Sequence, residues 1–276
     1  MTKEISWCVA ILANDISDIE WLSTKLFDIG ATGIEETAGE LLVYFSSESS
    51  ELSIIKEMLE MEKLTFSITV EEDKNWNQIW EENFEPVYIK NIAEIRASFH
   101  SSKPGFAYTI LIDPKMSFGT GHHPTTAQVI EHMFFLDFKH ASVLDIGSGT
   151  GILAILAEKM GAMSIVALDN DPWCYDNCIE NIELNDATHV VPILGEKLPM
   201  DNKYDILVAN INRNYHLEYM TQLAQILNYE GYMLLSGFLT EDVKLILALA
   251  LELHLIATYY TEQNNWVCIT IKKITV

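Results

Sequence analysis

The chain is poor in cysteine, in positive charge and in long apolar runs. Its four cysteines, Cys8, Cys174, Cys178 and Cys268, are scattered over 276 residues and form no C-x-x-C pair, so the spacing of a cysteine-based metal site is missing. Cys174 and Cys178 stand four apart on a predicted helix and read as packing residues sharing one face. Seventeen basic residues face forty acidic ones, a net charge of −23 with a sequence pI near 4.5. Such a surface repels phosphate backbones, which argues against a direct nucleic-acid partner. It attracts a basic protein and speeds that encounter, although an acidic face that serves only solubility has the same composition. The most apolar stretch, Leu245–Leu253, is too short to span a bilayer and contains Glu252. The opening Met-Thr-Lys-Glu-Ile has no secretory pattern. These absences describe a reduced, cytoplasmic protein with no membrane partner. With 49% hydrophobic residues, the chain has enough apolar surface for one or two domains of about 150 residues.

Two regions differ in pattern. Over residues 1–70 the signals run strand (Ile5–Leu12), helix (Ile16–Phe27, with Gly30 as a stop), hairpin (Thr32–Glu36 and Leu41–Phe45), helix (Leu52–Leu59) and strand (Leu64–Val70). The order β-α-β-β-α-β predicts a small ferredoxin-like α+β domain. It holds no glycine-rich or metal-binding motif, so recognition is its expected role. Residues 71–90 place Trp76, Ile79, Trp80 and Phe84 at helical spacing, which predicts an amphipathic helical connector. Positions 1–90 hold nineteen acidic against six basic residues, more than half of the net charge. From residue 91 to 276 strand and helix signals alternate, beginning with Ile92–Phe99 and Ala107–Ile112. A loop then leads into a helix running to about Phe138, and later strands are expected at Val190–Leu194, Tyr204–Ala209, Tyr232–Ser236, Ile256–Thr261 and Trp266–Ile271. This ordering predicts a Rossmann-like, mostly parallel sheet ending in an antiparallel pair.

The chemistry is concentrated around Val143-Leu-Asp-Ile-Gly-Ser-Gly-Thr-Gly151. The run Ser142–Ile146 reads as a buried parallel strand, and Ile152 to Met160 as a helix. Glycines 147, 149 and 151 let the chain turn sharply and approach a ligand with no β-carbon in the way. The turn delivers backbone N–H groups at a positive helix end. Asp169 closes the next strand, Ser164–Leu168, where a carboxylate can accept both hydroxyls of a ribose. A dinucleotide fingerprint requires G-x-G-x-x-G, but Ile152 occupies its third glycine position. The pattern G-x-G-x-G preceded by Asp145 is similar to that of class I S-adenosylmethionine-dependent methyltransferases. A dinucleotide-dependent oxidoreductase stays as the rival on this motif.

Three further segments carry a more specific resemblance. Phe118-Gly-Thr-Gly-His-His-Pro-Thr-Thr126, the connector with Trp76, Trp80 and Asn83-Phe84, and Trp266-Val-Cys-Ile-Thr270 resemble, in order, motifs of the PrmA-type ribosomal protein methyltransferases. The resemblance spans nearly the whole chain and is weakest over residues 1–70. It implies methyl transfer from S-adenosylmethionine to amino groups (lysine side chains, the N-terminal α-amine or both) of large-subunit ribosomal protein number eleven. It implies a donor site formed by Phe118, Thr126, Gly147, Gly149, Asp169 and Asn210. In that setting Phe118 and its glycines form a mobile lip that excludes water. Thr126, at a helix start, suits an anionic group. The Asn210 amide oxygen accepts from the target amine and aims its nitrogen, so Asn210 is also the candidate catalytic residue; its other reading is a helix cap for the segment near Asn214. Related amino-methyltransferases continue with prolines and an aromatic after this asparagine, whereas here Ile211-Asn-Arg-Asn214 follows. No metal is expected; His123 reads as loop architecture, and His122 carries no signal. A monomer is expected, and a lysine methyltransferase of some other basic protein is the alternative within the same class.

Overall fold

The computed structural model describes residues 5–12, 16, 19–31, 33–37, 39–46, 52–72, 85–113 and 117–275. The chain divides into two compact units, Met1–Phe84 and Glu85–Val276. The first is built from β1 (Ile5–Leu12), α1 (Ile19–Asp28), β2 (Gly33–Glu36), β3 (Glu40–Ser46), α2 (Leu52–Met61) and β4 (Phe66–Glu72). Its sheet runs β2-β3-β1-β4 with every neighbouring pair antiparallel, which is the ferredoxin-like arrangement. Periodicity explains it: Val9 and Ile11 alternate along β1, and Leu41, Val43 and Phe45 along β3. Leu22 and Leu26 on α1, like Ile55 and Leu59 on α2, are four apart, and all nine close one core.

Residues 73–84, with Trp76, Ile79, Trp80 and Phe84 of the expected connector, lie outside the described residues. The ends of that segment differ from expectation. Glu71 and Glu72 extend β4, and Val87–Ile89 form a strand, β5. β6 (Ala93–Arg96) and β7 (Tyr108–Leu111) fall inside the strand runs expected at Ile92–Phe99 and Ala107–Ile112, and with β5, which the sequence pattern did not indicate, they make a three-stranded sheet. β5 is three residues long, too short for alternation to stand out.

The large sheet of the second unit contains β8 (Ser142–Ile146), β9 (Ser164–Asp169), β10 (Val190–Leu194), β11 (Tyr204–Asn210), β12 (Leu227–Leu239), β13 (Leu255–Gln263) and β14 (Trp266–Lys273), in the order β10-β9-β8-β11-β12-β14-β13. The first five strands are parallel, and β14 is antiparallel to both its neighbours. Successive side chains enter cores on opposite faces. Val143, Ile206 and Val208 join α3 (Pro124–Met133), α4 (Ile152–Lys159) and Cys178 of α5 (Pro172–Leu184). Leu144, Leu207 and Ala209 join α6 (Arg213–Ile226) and α7 (Val243–Glu252). Helices on both faces of a parallel sheet account for the near-continuous apolar strands. Among the described residues no helix is long and apolar enough to cross a membrane.

Among the boundaries that depart from the sequence reading, two have a clear physical reason. The helix expected to reach Phe138 stops at Met133, because the chain must turn back to bury Phe138 while Phe134 and Phe135 stay exposed. The strand expected over Tyr232–Ser236 begins at Leu227. Its Asn228-Tyr-Glu-Gly231 segment reads as a turn, and Glu230 does have a φ of +64°; the turn is a kink inside the strand, at a register shift against β11. On the far edge, Ile256 to Tyr260 of β13 are all exposed, and the strand has no lysine, arginine or proline.

The amino ends of the central strands are braced by Asp205. Its Oδ2 accepts from the Ser142 backbone N–H at 2.9 Å and from the Ser142 hydroxyl at 2.7 Å, and its Oδ1 accepts from Asn228 Nδ2 at 2.8 Å. Burial pushes this carboxyl up, but the three donors outweigh it and hold its pKa below the ordinary value. Its stabilisation is present above the unfolded aspartate value near 3.9 and is lost as pH falls below it. Asp205→Ala is expected to cost about 2–3 kcal/mol at pH 7 in urea unfolding, with the difference from wild type shrinking below pH 4.

Candidate active site

The parallel strands set one row of residues at their carboxyl edge. Leu168 pairs with Ile146 and Ile146 with Ala209, and Asp169 pairs with Leu194, Asn210 with Ser236. One step beyond β8, Gly147 therefore lies between Asp169 and Asn210. The Asp169 carboxylate is tied at both oxygens: Oδ2 accepts from Gly149 N–H at 2.8 Å and Oδ1 from Asp171 N–H at 3.0 Å. Each oxygen keeps a second lone pair for a ligand donor. On its other side, Asn210 donates through Nδ2 to Thr126 Oγ1 at 3.3 Å, while its Oδ1 is buried without a hydrogen-bond partner. The helix-cap reading of Asn210 does not hold. Asn212 caps α6, its side chain accepting from Tyr215 N–H at 3.1 Å.

All three hinge glycines have positive φ, at 67°, 53° and 78°, as a sharp strand-to-helix turn demands. Their missing β-carbons also make room within the protein. A Cβ on Gly147 would lie 3.2 Å from Ile211 Cδ1, one on Gly149 2.2 Å from the Phe118 carbonyl oxygen, and one on Gly151 2.6 Å from Cys178 Sγ. The space is filled by protein, so the glycines allow the turn to pack against its own neighbours. Burial pushes the Cys178 thiol up to about 12, consistent with a packing role.

The Phe118 segment is fastened rather than loose. The Thr150 backbone N–H donates to the Phe118 carbonyl at 2.9 Å, and the Thr150 hydroxyl donates to the Gly119 carbonyl at 2.7 Å. The Phe118 ring, half exposed, meets the His123 ring at 5.3 Å, and His123 meets the Trp266 ring at 4.9 Å. His123 also caps α3, its Nδ1 accepting from Thr125 N–H at 3.3 Å. Two of the segments that carried the family resemblance therefore touch at this stack.

Sequence reasoning missed an asparagine ladder that runs along α5 to its C-cap, Asn185. Asn181 donates to the Thr150 carbonyl at 2.9 Å and accepts from Asp113 N–H at 3.1 Å; Asn185 accepts from Leu111 N–H at 3.0 Å and donates back to the Leu111 carbonyl at 2.6 Å. Asn177 donates to the Asp113 carbonyl at 3.3 Å. The available signal was the i, i+4, i+8 repeat of asparagine. Among the described residues no group of His, Cys, Asp or Glu is arranged to hold a metal ion.

The family described as "Ribosomal protein L11 methyltransferase (PrmA)" matches residues 8–274. The chain belongs to that family. A relative from Porphyromonas gingivalis named "Ribosomal protein L11 methyltransferase" is 38% identical over 253 residues, covering 89% of this chain and 87% of its own length. One of the same name from Bacteroides thetaiotaomicron is 36% identical over 256 residues, covering 90% and 91%. The solved structure of a ribosomal protein L11 methylase from Lactobacillus delbrueckii subsp. bulgaricus superposes with a TM-score of 0.65 at 27% identity, over 70% of this chain and all of that one. This PrmA-family chain is an S-adenosylmethionine-dependent protein methyltransferase, and the dinucleotide reading falls away.

In this PrmA-family site Asp145 is fully buried under the hinge. Its Oδ2 accepts from Ala154 N–H at 3.1 Å, and its Oδ1 has no partner. Burial pushes its carboxyl up to about 7; the Ala154 N–H opposes the rise and nearby Asp169 adds to it. Elsewhere, burial and then the Lys90 charge push His132, bonded between the Thr270 and Thr261 hydroxyls, down to about 4. The two act oppositely on stability. The contribution of Asp145 is full below its unfolded value near 3.9 and is lost as pH rises to 7; that of His132 is full above 6.5 and is lost as pH falls to 4. Between pH 4 and 6.5 they offset each other. Urea unfolding across this window should show His132→Gln losing stability with rising pH and Asp145→Asn gaining it, with wild type between them.

Proposed function

We propose that this enzyme methylates amino groups of ribosomal protein L11, with S-adenosylmethionine held at Phe118, Thr126, Gly147, Gly149, Asp169 and Asn210. The observation that carries the reading is the row Asp169–Gly147–Asn210 flanked by two buried oxygens without partners, Asp145 Oδ1 and Asn210 Oδ1. Unpaired buried acceptors are costly, and they suit a ligand that brings cationic and hydroxyl groups. Bound there, S-adenosylmethionine supplies an electrophilic methyl group on a sulfonium. Asp169 accepts from the ribose hydroxyls with its remaining lone pairs. Thr126, whose hydroxyl uses only an acceptor lone pair toward Asn210, keeps its proton to donate to the ligand carboxylate. The exposed ring of Phe118 shields the site from water.

Asn210 Oδ1 accepts a hydrogen from the incoming amine and directs its lone pair for in-line attack. The following Ile211 packs its Cδ1 against Gly147, at the place where related amino-methyltransferases continue with prolines and an aromatic. The first unit, which with its connector carries most of the acid excess, docks the basic acceptor. Recognition is assigned to the first unit, Met1–Phe84, and chemistry to the second, Glu85–Val276. The enzyme acts as a cytoplasmic monomer without nucleic acid or membrane contact, a reading supported by the same charge.

The acceptor must be a neutral amine. At pH 7 a lysine of pKa about 10.4 is neutral roughly once in 2,500 molecules, and an α-amine near 7.7–8.0 about 10–15% of the time. Methyl-transfer rates are expected to climb through pH 8–10, and a flat profile from pH 6 to 10 would show that deprotonation does not precede attack. Transfer of labelled methyl to purified ribosomal protein L11 tests the acceptor. Incorporation is expected, with Asp169→Ala weakening donor affinity about ten- to a hundredfold. Tight donor binding without incorporation would overturn the acceptor and favour another basic protein.

A further inference from the structure

We infer that Thr150 is a positioning residue, a latch whose hydroxyl holds the Phe118–Gly121 lip against the glycine hinge and so sets how long the methyl donor stays bound. This rests on the hinge being the donor site. Thr150 is completely buried and uses all its polar groups: its N–H donates to Phe118 O, its hydroxyl donates to Gly119 O, and its carbonyl accepts from Asn181. Asn181, also completely buried, binds Asp113 N–H with its other end. Chain just before the lip and chain within it are thus tied to the same threonine.

The fit leaves no slack. A Cβ on Gly119, whose φ is +108°, would lie 2.8 Å from Thr150 Oγ1, and one on Gly149 would lie 2.2 Å from the Phe118 carbonyl. Glycines on both sides of the contact bring backbone against backbone, which is the separation the two Thr150 bonds need. Because Gly149 N–H binds Asp169 Oδ2, lip, hinge and ribose-side carboxylate form one hydrogen-bonded body. Moving the lip away requires breaking both Thr150 bonds.

The test uses the full chain with S-adenosylmethionine as the probe, in wild type, Thr150→Val and Thr150→Ser. Valine keeps the shape and loses the hydroxyl; serine keeps the hydroxyl. Donor dissociation is read by stopped-flow chase, and KM for donor and for acceptor are read separately from kcat. Thr150→Val is expected to speed donor release and raise donor KM by about 3- to 30-fold, with acceptor KM unchanged and Thr150→Ser within about twofold of wild type. Equal donor dissociation in valine and serine variants would overturn the latch, whether both match wild type or both fall with a common loss of thermal stability. Failure of wild type to bind the donor at all would instead overturn the donor site itself, and the latch with it.

Discussion

Everything at the carboxyl edge of the large sheet depends on five residues, Gly147 to Gly151, turning from β8 into α4 with positive φ at three of them. That turn places the Gly149 N–H on Asp169, the Thr150 N–H under Phe118, and Gly151 against Cys178. No residue with a side chain takes these φ values at low cost in such tight surroundings. A strand end, a helix start, a lip and the neighbouring helix α5 are therefore all located by the same short stretch of backbone. The asparagines of α5 finish the work by pairing backbone groups that the turn and the preceding loop leave inside the protein.

The two ends of the sheet are treated differently. At the amino ends Asp205 is saturated by three donors and its charge is favoured. At the carboxyl ends Asp145 is fully buried, where Asp205 is only partly so, yet it keeps an oxygen without a donor, and its charge is disfavoured. The same side-chain type is a finished brace in one place and an unfinished acceptor in the other. That contrast in available donors separates structure from function here.

Much of this was legible in the sequence. Buried parallel strands announced themselves as apolar runs, and the ferredoxin-like order followed from alternation against helical spacing. Asp169, Gly147 and Asn210 do fall in one row, because strand ends and their next residues are set by the sheet's own register. What escaped notice depended on contacts distant in sequence. Short β5 has too few residues for a period. The reason for three glycines is visible only when Phe118, Cys178 and Ile211 are brought beside them. Thr150 stood inside the motif as an unremarked spacer between two glycines, since nothing local says that its hydroxyl meets a carbonyl thirty-one positions away.

The outer strand β13 leaves Ile256, Tyr259 and Tyr260 uncovered and has neither the lysines nor the proline that usually guard an open edge. The charge of the whole molecule, −23, opposes the approach of any like-charged neighbour to this edge. That protection is electrostatic and so has a range: about 10 Å at 0.1 M salt and about 3 Å at 1 M. Solubility therefore depends on ionic strength. Added salt shortens the reach of the repulsion in front of this bare edge.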